Sequence, residues 1–97
     1  MSDKRDKKDI LDSTYGLNII NQLKPVTFTW DTRDGAKKDI LDLGFIAQDL
    51  QDVDDEYLKL VVSTNPEKLQ ATQGRLIPVL VKAIQELKAE IELLKNK

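Results

Sequence analysis

Apolar residues recur every seven positions along the carboxyl-terminal part of the chain. From Leu76 the sequence reads LIPVLVKAIQELKAEIELLKNK. Isoleucine and leucine take the spacing of the a and d positions of a coiled coil, which predicts a helix with one apolar ridge for self-association. Glu90 and Lys95 fall at the flanking g and e positions, where they favour ion pairs between parallel helices. We call the apolar set the Ile–Leu ridge; it consists of Ile77, Leu80, Ile84, Leu87, Ile91 and Leu94.

An amphipathic helix packed on its own domain is the alternative interpretation of this ridge. The repeat spans fewer than three full heptads, and Pro78 is tolerated because it lies in the first turn. Isoleucine at a with leucine at d favours two strands, although over so short a ridge the rest of the domain can set the number of copies. Burial of each Ile or Leu contributes roughly 1.5–3 kcal/mol, so self-association would supply stability that a small domain lacks.

Strand-like alternation appears in the middle of the chain. In VTFTW, residues 26–30, large apolar side chains alternate with threonines, which predicts a half-buried strand. The loop DTRDGAKKD follows, with Asp34-Gly35 as its turn. LGFIAQ predicts a second strand that runs into a short helix near AQDLQDV. LKLVVS and KLQAT flank TNPE and predict a hairpin.

A short helix is predicted ahead of the first strand. The cluster Asp12-Ser13-Thr14 offers side-chain oxygens that cap a helix amino terminus. Pro25 ends the helix at about Lys24. The chain as a whole therefore predicts an α+β domain, with a few short antiparallel strands, short helices and a long carboxyl-terminal helix.

Composition excludes several classes of chemistry. The 97 residues suffice for one small domain of marginal stability. With no cysteine and no histidine, the chain has no disulfide, thiolate zinc site, thiol nucleophile or histidine base. A net charge of −2 argues against nucleic acid as a partner. No apolar run approaches the roughly 20 residues that span a bilayer, and no secretory signal is visible. We expect no membrane partner.

The opening segment, MSDKRDKKDI, holds one serine among three aspartates, three lysines and one arginine. Two interpretations compete: a solvated tail, or a serine nucleophile served by a lysine base. Composition alone favours the tail.

Four stretches, in their order and spacing, closely resemble one family. They are SDKRDK at 2–7, INQLKPVTFTW at 20–30, GFIAQDL at 44–50 and RLIPVLVKAIQELK at 75–88. The family is the C-terminal intramolecular chaperone, auto-processing domain of phage endosialidases, tailspikes, tail fibres and neck appendages; membrane-anchored myelin regulatory factors share this domain. Two stretches depart from the family pattern: DDEYLKLV replaces an aromatic-Pro-Glu-Leu stretch, and ATQGR lacks a tyrosine.

The resemblance implies a domain that follows a trimeric β-rich fibre, directs the folding of that fibre and then cuts itself off. Cleavage falls between Met1 and Ser2, with Ser2 as the nucleophile and Lys7 as its base. The chain then looks like the released product with an added initiator methionine. We expect a homotrimer whose carboxyl-terminal helices form a coiled coil, with the upstream fibre of the same polypeptide as its other partner.

The resemblance also divides the single domain into three parts. We expect a cleavage-site segment at 1–12, a globular α+β part at 13–74 and an oligomerising helix at 75–97. The expected location is the host cytoplasm during phage assembly, with the parent protein in the virion. We expect neither a metal nor a cofactor.

The proposed chemistry places two demands on the opening segment. A lysine accepts a proton only when neutral, and bringing its reference pKa of about 10.4 to about 7 takes about 4 kcal/mol of differential interaction. Burial or nearby cations lower a lysine pKa, whereas carboxylates raise it. In an extended chain, residues five apart are separated by roughly 16 Å. Either the segment turns sharply, or Lys7 of one subunit serves Ser2 of another.

Other candidate sites are weaker. DTRDG hints at a calcium loop, but Trp30 and Thr32 would hold the first and third ligand positions, so a turn is the better interpretation. Trp30 is expected in the core. A cluster of carboxylates could pair for acid–base work, but a solvated helix end and loop is the preferred interpretation; the cluster is Asp49, Asp52, Asp54, Asp55 and Glu56.

Two other function classes remain open for the whole chain. One is a coiled-coil oligomerisation module that never cuts. The other is a module that lays the 76–97 helix into a groove of a foreign partner.

Overall fold

The computed structural model describes residues 2–97 and has the predicted α+β class. A first 3₁₀ turn covers Lys4–Asp6 and a second covers Gln73–Leu76. The regular elements are α1 (Leu17–Ile20), β1 (Val26–Asp31), β2 (Lys38–Gly44), α2 (Ala47–Gln51), β3 (Val61–Val62), β4 (Gln70–Ala71) and α3 (Ile77–Lys95). No helix in this part of the chain is long and apolar enough to cross a membrane.

Strand β1 confirms the alternation in the sequence, since its residues are half-buried and exposed in turn. It pairs antiparallel with β2, from Val26 opposite Gly44 to Trp30 opposite Ile40. The register shifts beyond Trp30, and Asp39 has a φ of 61° at that point. An extra residue in the left-handed region is the signature of a β-bulge.

The second strand begins earlier than predicted. It starts at Lys38 rather than near Leu43 and ends at Gly44. The charged residues at its start are exposed, as is nearly the whole strand. Because neither face of β2 is buried, its sequence lacks the period-two pattern by which strands are recognised.

The small sheet of β3 and β4 confirms the predicted hairpin. Val61 lies opposite Ala71 and Val62 opposite Gln70 in an antiparallel pair. The main chain ahead of β3 joins the same arrangement, because the amide of Thr72 donates to the carbonyl of Leu60 at 2.7 Å.

The core lies between the short helices, the segment before β3 and the beginning of α3. Its buried side chains are Ile19, Leu50, Leu58, Leu60, Leu76 and Val79. The β1–β2 hairpin contacts chiefly itself. Trp30 is therefore not a core residue, contrary to expectation: it packs edge-on against Phe28 with ring centroids 5.0 Å apart, and its indole N–H donates to Asp42 at 3.1 Å.

Helix α1 corrects the predicted first helix. It covers only Leu17–Ile20, and its N-cap is Gly16 rather than the Asp12-Ser13-Thr14 cluster. The Oγ atom of Ser13 instead accepts from the amide of Tyr15 at 3.1 Å. The helix begins at Leu17 because a side chain of α3 caps it there, as described below.

Candidate functional site

The two residues expected to carry the cleavage flank a sharp turn. The 3₁₀ turn Lys4–Asp6 separates Ser2 from Lys7. The amide of Asp6 donates to the carbonyl of Asp3 at 3.0 Å, and the amide of Lys7 donates to the carbonyl of Lys4 at 3.1 Å. Of the two routes that could bring Lys7 to Ser2, the sharp turn is thus present in the single chain.

Ser2 and Lys7 are both exposed. Within residues 2–97, no hydrogen bond or ion pair joins their side chains. Met1, the other expected residue of the cleavage site, lies outside the described residues. The single chain therefore places the two side chains on either side of one turn without bringing them into contact.

Asp3 and Arg5 hold this turn through their side chains. Asp3 Oδ1 accepts from the Arg5 amide at 2.9 Å and caps the turn. The guanidinium of Arg5 then engages both carboxylate oxygens: Nη2 lies 2.7 Å from Oδ2, and Nε lies 3.1 Å and 3.2 Å from Oδ1 and Oδ2. These hydrogen bonds lower the pKa of Asp3 and raise the pKa of Arg5.

Helix α3 packs on its own domain through a face that is not the Ile–Leu ridge. Val79 and Ala83 are buried, Lys82 and Glu86 are half-buried, and this face lies against α1. At about 100° per residue, the packed face and the ridge point roughly a third of a turn apart.

The ridge itself is uncovered in the single chain. All six of its side chains are exposed, over 45% to 65% of their surface. Leu80 and Leu87 are the least exposed because they lie on the side nearer the packed face. The predicted helix is confirmed, whereas packing on its own domain leaves the ridge available for another partner.

A contact between α3 and α1 fixes the orientation of α3. Glu86 Oε1 accepts a hydrogen bond of 2.8 Å from the amide of Leu17. Gly16 allows this approach, because a Cβ at that position would lie 1.9 Å from the same oxygen and 2.8 Å from Cγ of Lys82. No local sequence signal marks this contact, since its two residues are 69 positions apart.

The acidic cluster after α2 organises a loop. Asp54 accepts from the amides of Leu60 and Val61 at 2.8 Å and 3.1 Å, and Asp55 accepts from the amide of Leu58 at 2.8 Å. In the described residues, no group of three acidic side chains is placed to hold a metal ion. The cluster is therefore more than a solvated helix end: two of its carboxylates satisfy backbone donors that precede or begin β3.

The turn interpretation of DTRDG holds. The amide of Gly35 donates to the carbonyl of Thr32 at 2.9 Å, and Gly35 has a φ of 76°. Asp34 Oδ1 accepts from the amide of Ala36 at 2.9 Å. These carboxylate and carbonyl oxygens are directed to the backbone of the turn itself.

Several exposed apolar residues were not singled out by sequence reasoning. Leu41 and Leu43 on β2 are 81% and 73% exposed, opposite Thr29 and Thr27. Leu11, in the segment that leads from the opening turn to α1, is 86% exposed. None of these residues belongs to a periodic pattern, so the sequence held no signal for them.

Comparison with protein families decides the identity of the domain. The model of a peptidase family described as the chaperone of endosialidase matches residues 2–59. The chain belongs to this family. The chaperone of endosialidase match includes SDKRDK and GFIAQDL and confirms the resemblance noted in the sequence. Helix α3 lies beyond the matched residues. No curated protein and no solved structure matches the chain.

Membership of the chaperone of endosialidase family establishes an intramolecular chaperone role in general terms and a peptidase family background. It also implies association with an upstream fibre protein. The family match concerns this general role and not the number of copies or the residues that carry out a cleavage.

Proposed function

We propose that this chain is the intramolecular chaperone of a phage fibre, tailspike or appendage, that it associates as a homotrimer, and that it releases itself by one cleavage before Ser2. The observation that carries the proposal is the exposed Ile–Leu ridge on a chain of this family. In this proposal, residues 1–12 are the cleavage-site segment, 13–74 the globular part and 75–97 the oligomerising helix. In this proposal, the chain acts as a chaperone and cleaves itself in the host cytoplasm during phage assembly.

The ridge is suited to association because it is apolar, continuous and already about half covered by neighbouring helix atoms. Burying the rest of each side chain contributes of order 1 kcal/mol. The fold supplies the helix in a fixed orientation, so little further ordering opposes association. Parallel packing of three ridges gives the trimeric coiled coil and sets the upstream fibre chains in register.

Association would also gather the opening segments. Residues 9–15 run beside residues 74–79, and a cavity of about 550 Å³ lies between these two stretches. The segment that follows the opening turn therefore passes the amino-terminal end of α3, on the side of Pro78 and Val79. In a parallel trimer, three such segments would lie at the same end of the coiled coil.

The proposed cleavage is an acyl shift followed by hydrolysis. The Ser2 hydroxyl oxygen attacks the carbonyl carbon of the preceding residue while the Lys7 amine takes the hydroxyl proton. The peptide C–N bond breaks, the proton passes to the Ser2 nitrogen, and an ester joins the upstream chain to the Ser2 oxygen. Water then cleaves the ester, which leaves an upstream carboxylate and a free Ser2 amine and hydroxyl.

The lysine base requires a neutral amine, and an exposed lysine in water is charged. Burial or nearby cations favour a neutral lysine, and Lys7 is exposed in the single chain; in this proposal, assembly supplies such surroundings. Cleavage in this proposal therefore follows trimerisation, either within one turn or between the Lys7 of one subunit and the Ser2 of another.

The test is a fusion in which a reporter domain precedes Met1. Intact mass measurement should find the cut between Met1 and Ser2. The variants Ser2→Ala and Lys7→Ala should stay uncut, whereas Ser13→Ala and Lys8→Ala should be cut as the unaltered fusion is. If the fusion of normal sequence stays uncut, the alternative of a non-cleaving oligomerisation module is favoured. If the chain is a monomer, the alternative of a module that binds a foreign partner through its helix is favoured.

Mixing separates cleavage within a subunit from cleavage between subunits. Trimers assembled from Ser2→Ala and Lys7→Ala chains hold intact copies of each group on different chains. Cleavage of the Lys7→Ala chain in such mixtures shows that a neighbouring lysine serves its serine. Mixtures that never cleave restrict the reaction to a single subunit.

A further inference from the structure

We propose that Asp3 and Arg5 are positioning residues for the cleavage before Ser2: their side-chain contact holds the turn that lies between Ser2 and Lys7. The inference rests on the proposed function. It concerns two residues that lie between the nucleophile and the base.

The Asp3 carboxylate both caps the turn and forms an ion pair with Arg5. Asp3 Oδ1 accepts both the Arg5 amide, at 2.9 Å, and the Arg5 Nε–H, at 3.1 Å. Asp3 Oδ2 accepts from Nη2 at 2.7 Å. A two-pronged guanidinium–carboxylate contact fixes direction as well as distance. The side chain of Arg5 is thereby folded back onto the residue that follows Ser2.

Apart from two backbone hydrogen bonds, no other contact among the described residues stabilises this turn. The three residues Lys4–Asp6 include no buried side chain, so packing does not hold them. A helical turn of this length is unstable alone, because its few backbone hydrogen bonds do not offset the cost of ordering it. The side-chain contact of Asp3 with Arg5 is what remains to close the turn, and without it the segment opens toward the roughly 16 Å separation of an extended chain.

The same contact settles a problem of charge. A free carboxylate beside a lysine favours the ammonium form, which cannot accept a proton. Asp3 follows Ser2 directly, so a Lys7 side chain that reaches Ser2 also comes near the Asp3 carboxylate. A free carboxylate there would favour the charged form of Lys7 and so act against the base. Arg5 occupies both oxygens of that carboxylate and neutralises it. Arg5 thus keeps the turn closed and keeps Asp3 from pairing with Lys7.

Matched substitutions in the reporter fusion test the inference. Asp3→Asn keeps a good capping residue but loses the ion pair, and Arg5→Gln loses the guanidinium. Each should slow the first-order rate of cleavage about tenfold, which corresponds to about 1.4 kcal/mol. The controls are Asp6→Asn and Lys4→Gln, which remove the same charges from the same turn. Their side chains make no hydrogen bond among the described residues, so their rates should stay within about threefold.

Two further readouts separate positioning from a general structural effect. The thermal midpoint and the number of copies should be unchanged in all four variants, because the turn contacts no core residue.

Arg5→Lys keeps the charge but loses the two-pronged contact, so its cleavage rate should fall between those of Arg5→Gln and the unaltered fusion. A variant pair Asp3→Asn/Arg5→Gln should be no slower than the slower single variant, since both remove one contact.

The outcomes distinguish this inference from the proposed function. If Ser2→Ala and Lys7→Ala block cleavage while Asp3→Asn and Arg5→Gln cleave at the normal rate, the positioning role is wrong and the function stands. If the controls slow cleavage as much as Asp3→Asn and Arg5→Gln do, the loss of any charged side chain in the turn, rather than this contact, is what matters, and the positioning role is again wrong. A fusion of normal sequence that never cleaves overturns both.

Discussion

The carboxylate of Glu86 on α3 accepts a 2.8 Å hydrogen bond from the amide of Leu17, the first residue of α1. The first amides of a helix have no partner within the helix. A side chain from another helix fills that role here, because the N-cap residue Gly16 has no side chain with which to do so. This contact marks where α1 begins and, together with the burial of Val79 and Ala83, places α3 on the domain.

Removing the Glu86 acceptor should destabilise the fold. Glu86→Ala leaves the amide of Leu17 without its partner, and we expect a loss of about 1 kcal/mol in the free energy of unfolding. Glu86→Gln retains an acceptor oxygen and should lose less than about half of that. Urea titration at one fixed protein concentration measures the difference. Glu92→Ala is the control, because within residues 2–97 the Glu92 side chain makes only an exposed ion pair with Lys88 at 4.0 Å. A loss equal to that of Glu86→Ala would contradict the capping role.

A side chain at position 16 should act through the same contact. Gly16→Ala places a Cβ 1.9 Å from Glu86 Oε1, so the carboxylate must move away and its hydrogen bond to Leu17 is lost. We expect a cost of about 1 kcal/mol. In a Glu86→Ala background the same substitution should cost clearly less, since the two changes share one contact.

Gly74→Ala is the matched control for position 16. A Cβ at that position meets nothing within 4 Å, and the change should alter stability by no more than about 0.5 kcal/mol. Equal losses for the two glycine variants, measured by the same urea titrations, would show that the approach of Glu86 is not what requires Gly16.

The two faces of α3 should respond differently to substitution. Ile84→Lys places a charge in the centre of the ridge, and we expect a folded monomer where the unaltered chain forms three copies. Val79→Ala leaves the ridge intact but removes core volume, and should lower the free energy of unfolding by about 2 kcal/mol. Sedimentation equilibrium measures the first effect and urea titration the second.

Gln85→Lys serves as the control for the ridge, because Gln85 is exposed beside Ile84 but outside the ridge. It should leave the number of copies unchanged. A single copy of the unaltered chain at high concentration would refute the trimer, and an unchanged mass for Ile84→Lys would place the association elsewhere.

Acid should weaken a bond between the segment before α1 and the loop before β3. The hydroxyl of Tyr15 donates to Asp55 at 2.5 Å. This hydrogen bond, helped by backbone amides, holds the pKa of Asp55 below its usual range. The stabilisation is complete above the unfolded-state pKa of about 3.9 and is lost as the pH falls through the lower folded-state value. Stability should therefore decrease from pH 5 toward pH 2.

The same bond raises the pKa of Tyr15 to about 12. Its stabilisation is present below the unfolded-state value of about 10 and is lost as the pH rises through about 12. Tyr15→Phe should reduce both the acid and the alkaline loss of stability, measured as urea midpoints across pH. Thr14→Val is the control, because Thr14 is the exposed neighbour of Tyr15 and does not titrate; it should keep the normal pH dependence. Identical pH profiles for Tyr15→Phe and the unaltered chain would contradict the role of this bond.

The elements that the sequence predicts correctly are those in which apolar residues recur with the period of a strand or a helix over the whole element. Strand β1 alternates between half-buried and exposed residues over its whole length, and α3 repeats isoleucine and leucine every seven positions. Strand β2 was misplaced because it is exposed on both faces. Helix α1 was misplaced because its start depends on Glu86, a residue 69 positions away that no local pattern indicates.

The candidate site was predictable only in part. Ser2 and Lys7 came from the resemblance to a family, and physical reasoning added that the chain between them must turn or that two subunits must cooperate. The turn at Lys4–Asp6 is present. The contact that holds it was not foreseen, although an aspartate two residues ahead of an arginine within a short charged stretch is a signal from which it could have been inferred.

Because α3 meets its own domain through one face and presents the ridge on another, each copy can reach its final shape before it meets a second. In the proposed trimer, association would therefore join chains that are already folded, and its rate would rise with the local concentration of copies. Chains tethered to a common upstream fibre would have a high local concentration, whereas an isolated copy would expose an apolar surface that favours non-specific association.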